Sequence, residues 1–357
     1  MRLYLFLFLS LYLSTLLFGE NLELWAETAI LIDYNTKQIL YQKNKDLEIP
    51  PASMTKLVTL FIVYEEIAKG NALKDDLVTI SSNADYRNLP RDSSLMFIEQ
   101  GQRVTLLELM KGLAIPSGND AAIAIAEHLF GSVDKYLYHL NSEFSKLGLD
   151  KLKFVDSSGF DDFNSITVSQ FVEFCLILLE RYPEITDELF MLDNFTYPKK
   201  VNGYSTIGSI KQLNHNPLVS IYPGVKGLKT GFINKSGMNI SLYAENNDRK
   251  IVGVIAGVKD PKKDIAAKKR FYDSITLLNY GFQNYQNIYL DKIKLPKIKT
   301  SKGNFIQPII PYKRLFTLNN NSSFKYRLLN ENLDSSFLGY VEIKNGQLSY
   351  NFPIYQK

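Results

Sequence analysis

Three short clusters in the 357-residue sequence carry side chains whose types could perform nucleophile-and-base chemistry: Ser53-Met54-Thr55-Lys56, Ser117-Gly118-Asn119 and Lys229-Thr230-Gly231. A serine hydroxyl is a weak nucleophile until a neighbouring base takes its proton. Residues i and i+3 share one face of a helix, so Lys56 can reach the Ser53 oxygen. Lysine acts as that base only when burial or a nearby cation lowers its pKa. The run from Ser53 to about Lys69 is apolar on most sides: Leu57, Leu60, Phe61 and Tyr64 are joined by Met54, Val58, Ile62 and Val63. Such a run predicts a central, buried helix, with Lys229 supplying the nearby cation. Histidine competes poorly for the base role. Only His128, His139 and His215 exist, none in a nucleophile-elbow or metal pattern, and the first two fall in helical stretches where a structural role is the plainer reading.

Each cluster alone is weak. Pro50-Pro51-Ala52-Ser53 is also an ordinary helix start, with Ser53 as N-cap and Lys56 as a solvated lysine. The same serine–lysine spacing recurs at Ser132/Lys135 and Ser322/Lys325, Ser81-Ser82-Asn83 repeats the second pattern, and Lys235-Ser236-Gly237 could serve as the third. Ser117 or Asn119 equally reads as the N-cap of the helix "DAAIAIAEH", and Lys229 as a solvated strand lysine. The order of the set, its contexts and its separations (117 − 53 = 64 and 229 − 117 = 112 residues) distinguish it from these repeats.

The elements that must position the clusters follow from periodicity. "ETAILIDYNTKQILYQKN" predicts two strands around an Asn-Thr-Lys turn. Amphipathic helices are expected at "VTLLELMKGLAI", "DAAIAIAEHLFG", "SVDKYLYHLNSEFSKLGL" and residues 167–181. Short β-branched segments follow: "GVKGLKTGFI", "MNISLYAEN" and "KIVGVIAGVK". A last helix, "AAKKRFYDSITLLNYGFQNY", closes this first unit, expected to span residues 24–283. From 285 to 357 apolar and polar residues alternate, with an Asn345-Gly346 hairpin signal, which predicts a small β-rich domain.

With those motifs in view, the sequence resembles the serine D-Ala-D-Ala carboxypeptidases, the low-molecular-mass penicillin-binding proteins of peptidase family S11. The likeness covers most of residues 27–283, and "GLKTGFINKSG" resembles the family's Lys-Thr-Gly strand and following turn, leaving Lys235-Ser236-Gly237 in the turn. The resemblance implies an α/β (α+β) β-lactamase/transpeptidase-like domain, an antiparallel sheet with a helical cluster. It implies that Ser53 attacks the peptide carbonyl with Lys56 as general base. Ser117 would relay a proton to the leaving D-alanine, and Asn119 would hold Lys56 and the substrate amide. Lys229 and Thr230 would bind the substrate carboxylate, while Gly231 leaves room for a peptide along the strand edge. The backbone amides of Ser53 and Phe232 would form the oxyanion hole. Arg270 matches an arginine near the carboxylate site, or is structural. His215 stands where many relatives carry a substrate-facing arginine, and Phe232 where they often carry histidine.

The implied substrate is a peptidoglycan stem peptide ending in D-Ala-D-Ala, with β-lactams as covalent inhibitors. A DD-endopeptidase would use the same residues. A β-lactamase would require a glutamate in a Glu-x-x-Leu-Asn segment, to which "DELFMLDN" bears only superficial similarity. A catalytically idle peptide-binding module is the reading from a different class, against which the intact set argues. Lys and Arg (41) exceed Asp and Glu (37) by only 41 − 37 = 4, which argues against nucleic acid as the main partner. The single Cys175 excludes an internal disulfide framework, and no cofactor or metal is expected. Arg2 followed by an uncharged apolar run to Phe18 reads as an export signal. Cleavage is expected after Gly19 or Ala26, with residues 1–19 as an uncleaved inner-membrane anchor the alternative. Either way the working part lies outside the cytoplasm, in the periplasm or on the outer face of the membrane.

Overall fold

The structure, a computed structural model, describes residues 22–299, 303–329 and 336–357; the apolar run at 2–18 lies outside them. Among the described residues no helix is long and apolar enough to cross a membrane. The predicted hairpin forms as β1 (Thr28–Asp33) and β2 (Ile39–Lys43). It joins β3 (Val225–Gly227), β4 (Thr230–Ile233), β5 (Gly237–Asn246) and β6 (Arg249–Val258) in one antiparallel sheet. The strand order is β2-β1-β6-β5, and β3 and β4 both pair with β5.

The central strands are buried along most of their length because both faces are covered. In β1, Ile30 and Ile32 point into a core shared with the helices, whereas Ala29 and Leu31 point into a second core. The first core gathers α1 (Thr55–Ala68), α2 (Leu106–Ala114), α3 (Asn119–Phe130), α4 (Val133–Lys146) and α5 (Val168–Arg181). The second is closed by α6 (Lys263–Asn284), whose Ala266, Leu277 and Leu278 are buried against it. In α1 every residue from Thr55 to Tyr64 is buried. Phe61 packs edge-on against Phe144 and Phe174, which fixes α1 among its neighbours. The antiparallel sheet between α6 and a helical cluster is the fold class expected from the sequence.

Chain direction changes at Asn284, where α6 passes directly into β7 (Tyr285–Tyr289), paired with β8 (Leu315–Asn319). A further sheet runs from Pro308–Ile309 through β11 (Leu348–Gln356) and β10 (Phe337–Asn345) to β9 (Ser323–Leu328), around a separate core that includes Leu338, Val341 and Ile354. The β10–β11 hairpin turns through Gly346-Gln347, one residue beyond the start of the Asn345-Gly346 signal. This region rests on the first hairpin: the Tyr285 hydroxyl donates to the Leu40 carbonyl (2.7 Å) and the Gln42 amide to Gln347 Oε1 (2.9 Å).

At the N-terminal end Leu24 and Ala26 are buried, and the amides of Trp25 and Ala26 donate to the Asp273 carboxylate at 3.1 and 2.9 Å. Processing after Ala26 would strip this strap from α6 and leave a buried carboxylate without its two amide donors; processing after Gly19 would leave it in place. Burying the Leu24 side chain alone is worth roughly 1.5–3 kcal/mol. A chain beginning at Glu27 is therefore expected to unfold at lower denaturant concentration than one beginning at Glu20, by at least about 2 kcal/mol, measured by urea titration. Equal midpoints would refute a structural role for residues 22–26.

Candidate active site

Ser53 sits in a tight helical turn, Ala52–Met54, that leads into α1. The turn is capped by Pro51 and α1 by Met54, with no side-chain hydrogen bond at either position, so the expected N-cap role of Ser53 is not what the fold uses. Its Oγ instead accepts from Lys56 Nζ at 2.9 Å. Ala52 has φ +52°, a left-handed conformation that costs on the order of 1–3 kcal/mol outside glycine and turns Ser53 toward the cleft.

Lys56 is fully buried. Its Nζ also donates to Asn119 Oδ1 (2.7 Å) and to the Ser158 carbonyl (2.6 Å). Burial pushes its pKa down to about 7, with Asp156 and Asp120 pulling the other way. The expected cation effect of Lys229 on Lys56 is not the cause. Like-charge repulsion falls on Lys229, held well below the lysine range first by its own burial, then by Lys56 and Arg270.

Asn119 opens α3, but the N-cap is Gly118 and makes no side-chain cap bond, which removes the capping explanation for Ser117 and Asn119. Ser117 is 2% exposed, has φ +65°, and its buried Oγ has no protein partner. Ser158 belongs to no cluster seen in the sequence. It contributes a backbone carbonyl, which leaves no residue-type signature; only the turn-forming Ser157-Ser158-Gly159 marked the place.

The β4 strand forms the opposite wall. Lys229 lies one residue before it, 1% exposed, with Nζ donating to the Thr230 carbonyl (3.1 Å). A Cβ at Gly231 would lie 2.7 Å from the Pro51 carbonyl oxygen and 3.0 Å from the Ser53 amide nitrogen. The glycine thus admits the nucleophile turn, and β4, which pairs only with β5, keeps its other edge unpaired among the described residues. The same approach makes near neighbours of the Ser53 amide and Phe232, the next residue on the strand. Lys263 Nζ stacks 4.1 Å over the Phe232 ring.

Arg270 is buried on α6, with an Nε that finds no protein partner, and burial lowers its pKa to about 10. His215, whose amide donates to the Ile115 carbonyl (3.3 Å), reaches the same region from the loop after Ile210–Leu213. The surrounding protein and then Lys229, Lys56, Arg270 and Lys263 lower its pKa to about 4. The imidazole is open to solvent, which weakens desolvation, but the neighbouring basic groups act in the same direction and favour the neutral form. Lys56, Lys229, Arg270 and Lys263 therefore surround His215 with basic groups.

Above these groups lies a cleft of about 1030 Å³, lined by Ser53, Asn119, Phe160, Phe232, Asn234 and Lys263 among others. The competing patterns are spent elsewhere. Ser132 caps α4 through the Lys135 amide, and Ser322 donates to the Asn319 carbonyl. Ser81 and Asn83 both bond Glu127, and Lys235 Nζ bonds the Asp162 carbonyl (3.1 Å). Glu188 of "DELFMLDN" is held by Lys74 (2.7 Å) and the Tyr64 hydroxyl. His128 lies beside Asp76, and His139 against the Phe130 ring. Among the described residues no cluster could hold a metal ion.

A buried lysine under a serine, facing a Lys-Thr-Gly strand, invites comparison with known acyl-transfer enzymes. The profile of the S11 peptidases, described as D-alanyl-D-alanine carboxypeptidase, matches residues 18–260, and the chain belongs to that family. It is 28% identical over 280 residues to D-alanyl-D-alanine carboxypeptidase DacF of Bacillus subtilis, covering 78% of this chain and 68% of that one. It is 32% identical over 269 residues to DacA of Haemophilus influenzae, covering 74% of this chain and 63% of the relative. Penicillin binding protein 5 from Haemophilus influenzae superimposes with TM-score 0.71 at 26% identity, over 94% of this chain and 97% of that one. Penicillin-Binding Protein D2 from Listeria monocytogenes, solved in a cefotaxime-bound form, gives 0.63 at 26% identity, over 73% and 99%.

The Gly231 contact is a sharp constraint because its neighbours are backbone atoms. Gly231→Ala is expected to push β4 off the Pro51–Ser53 turn and slow labelling by a fluorescent penicillin at least about tenfold, since a misplacement near 1 Å is costly to catalysis. Its melting temperature should change far less than its labelling rate. Wild-type labelling in the folded variant would refute the contact.

Proposed function

We propose that the protein is a D-alanyl-D-alanine carboxypeptidase that removes the terminal D-alanine from peptidoglycan stem peptides through an acyl-enzyme on Ser53. The observation that carries this reading is the fully buried Lys56, 2.9 Å from Ser53 Oγ, with a pKa lowered to about 7. As an ammonium it donates to all three surrounding oxygens. As a neutral amine it keeps two N–H bonds, to Asn119 Oδ1 and Ser158 O, and turns its electron pair to the Ser53 hydroxyl.

Deprotonated Ser53 attacks the carbonyl of the penultimate D-alanine. The developing oxyanion is held by the amides of Ser53 and Phe232. The proton then reaches the departing amine by way of Ser117, whose buried hydroxyl has no protein partner and is free to relay it. D-alanine leaves, and water cleaves the ester with Lys56 again as base. Lys229, Thr230 and Arg270 receive the substrate carboxylate, with neutral His215 as a hydrogen-bonding neighbour rather than a further cation. The ampicillin- and cefotaxime-bound relatives support β-lactams as inhibitors. The substrate places the enzyme outside the cytoplasm, and the apolar run near the N-terminus is the route for export or membrane attachment.

Two measurements test the reading. Incubation with a labelled penicillin should leave an adduct on Ser53, identified by peptide mass spectrometry; folded protein without it would sink the acyl-enzyme. Release of D-alanine from a pentapeptide, set against cleavage of a cross-linked dimer, separates carboxypeptidase from endopeptidase. Because the base must be uncharged, acylation is expected to rise with pH through about 7 and to be lost below it. Lys56→Met should lower the acylation rate by roughly 10²–10⁴-fold and abolish that rise. A Lys56→Met rate close to wild type would exclude lysine as the base.

A further inference from the structure

One of the three hydrogen bonds on Lys56 comes from a loop built around a single carboxylate. Asp156 Oδ1 accepts the amides of Ser158 (2.7 Å) and Gly159, and Oδ2 accepts that of Asp161. Three amides converging on one side chain fold the chain into a tight turn that aims the Ser158 carbonyl at Lys56 Nζ. The preceding carbonyl, of Ser157, accepts from Thr59 Oγ1 at 2.9 Å. Lys56 and Thr59 are three residues apart on one face of α1, so that face grips two successive carbonyls of the loop. On the other side Gly159, at φ +81°, packs where a Cβ would fall 1.9 Å from the Ala52 carbonyl oxygen. Loop, base and nucleophile turn form one unit. No step of the proposed reaction touches Asp156.

We propose that Asp156 is a positioning residue for the general base: by ordering residues 156–161 it holds the Ser158 carbonyl on Lys56, so that the electron pair of the neutral amine points at Ser53. Without that carbonyl the amine has one fixed acceptor, Asn119, and is free to turn about it. The charge of Asp156 acts on the same nitrogen, opposing the effect of burial. The other ionisable groups around Lys56 are accounted for. Asp120 also opposes burial, but its carboxylate is committed to the amides of Met96, Phe97, Ile98 and Ala121. Lys229 and His215 respond to the charge of Lys56 from the far wall. Beside Asp156 lies buried Tyr136, bonded to Thr59 and neutral at working pH.

The inference rests on Lys56 being the base, and the test separates the two. Acylation by a fluorescent penicillin is followed from pH 5 to 9 for wild type, Asp156→Asn, Asp156→Ala and Asp156→Glu, each with a melting curve. Asp156→Asn keeps the shape but presents an NH₂ to at least one backbone amide and removes the charge. It is expected to lower the plateau rate about tenfold and to shift the acid limb to lower pH, because loss of a negative neighbour makes Lys56 easier to deprotonate. Asp156→Glu should keep the limb near its wild-type pH and recover part of the rate. If Asp156→Ala fails to fold, Asp156→Asn decides alone. A folded Asp156→Asn with the wild-type plateau and limb, or a limb moved to higher pH, overturns the proposal. A wild-type protein with no Ser53 adduct would instead overturn the lysine-base reading beneath it.

Discussion

The structure depends on an amino group placed where an ammonium ion is poorly solvated. Moving such an ion into a protein interior costs several kcal/mol even after relaxation, and Lys56 meets that penalty in two ways. Three oxygens surround its Nζ within 2.9 Å, and its pKa falls to about 7, so the neutral form is accessible near neutral pH. The oxygens come from the Ala52–Met54 turn, α3 and the 156–161 loop, elements far apart in sequence. The first core, into which α1 is sunk on nearly every side, holds them in register. The same spacing on an exposed helix start builds no such site: Ser132 spends its oxygen on the Lys135 amide as the N-cap of α4.

A second constraint is the closeness of backbone to backbone. The Pro51–Ser53 turn lies between β4 and the 156–161 loop, and each approaches through a glycine whose Cβ would collide with main-chain atoms. Such collisions cannot be relieved by moving a flexible side chain. Ala52 and Ser117 adopt left-handed conformations in the same few ångströms. Strain gathered at one place must be held by packing elsewhere. Here the holders are the two cores on opposite faces of the sheet, which clamp β4 and β5 against α1 and α6. Preorganised geometry of this kind is what a hydroxyl nucleophile with a weakly basic partner needs.

Much of this arrangement was legible in the sequence because it rests on side chains. The all-round apolar character of residues 54–64 announced a buried helix, and the serine–lysine spacing placed two functional groups on one face of it. Asn345-Gly346 marked its hairpin, and the β-branched runs marked the central strands. What escaped was contributed by the backbone or by long-range placement. The Ser158 carbonyl, the fit of Gly231 against the nucleophile turn and the left-handed Ala52 depend on how distant segments meet. The competing reading of Ser53 as a helix cap failed for a related reason. A serine at a helix start ordinarily turns its oxygen to the backbone, but here the tertiary fold offers it a buried lysine. Burial, rather than the expected cation, leads the shift on Lys56, and the mutual repulsion of the two buried lysines shows on Lys229.

That asymmetry has a consequence for how the site meets its ligand. Lys229 and Arg270 are buried close together, and neither forms an ion pair within the protein among the described residues. Buried like charges destabilise a fold unless something else offsets them. Neutral His215 spares the cluster another cation, where an arginine would add a permanent one. An anionic ligand reverses the balance, since a carboxylate raises the pKa of Lys229 and gives Arg270 the acceptor its Nε lacks. On the proposed reading, a substrate carboxylate offsets the burial and like-charge repulsion that hold Lys229 below the lysine range, and so favours its protonated form. A peptide without that carboxylate gains no such relief, whatever its other contacts. On the proposed reading, carboxylate binding at this buried basic cluster is the physical basis for favouring a chain end over an internal bond.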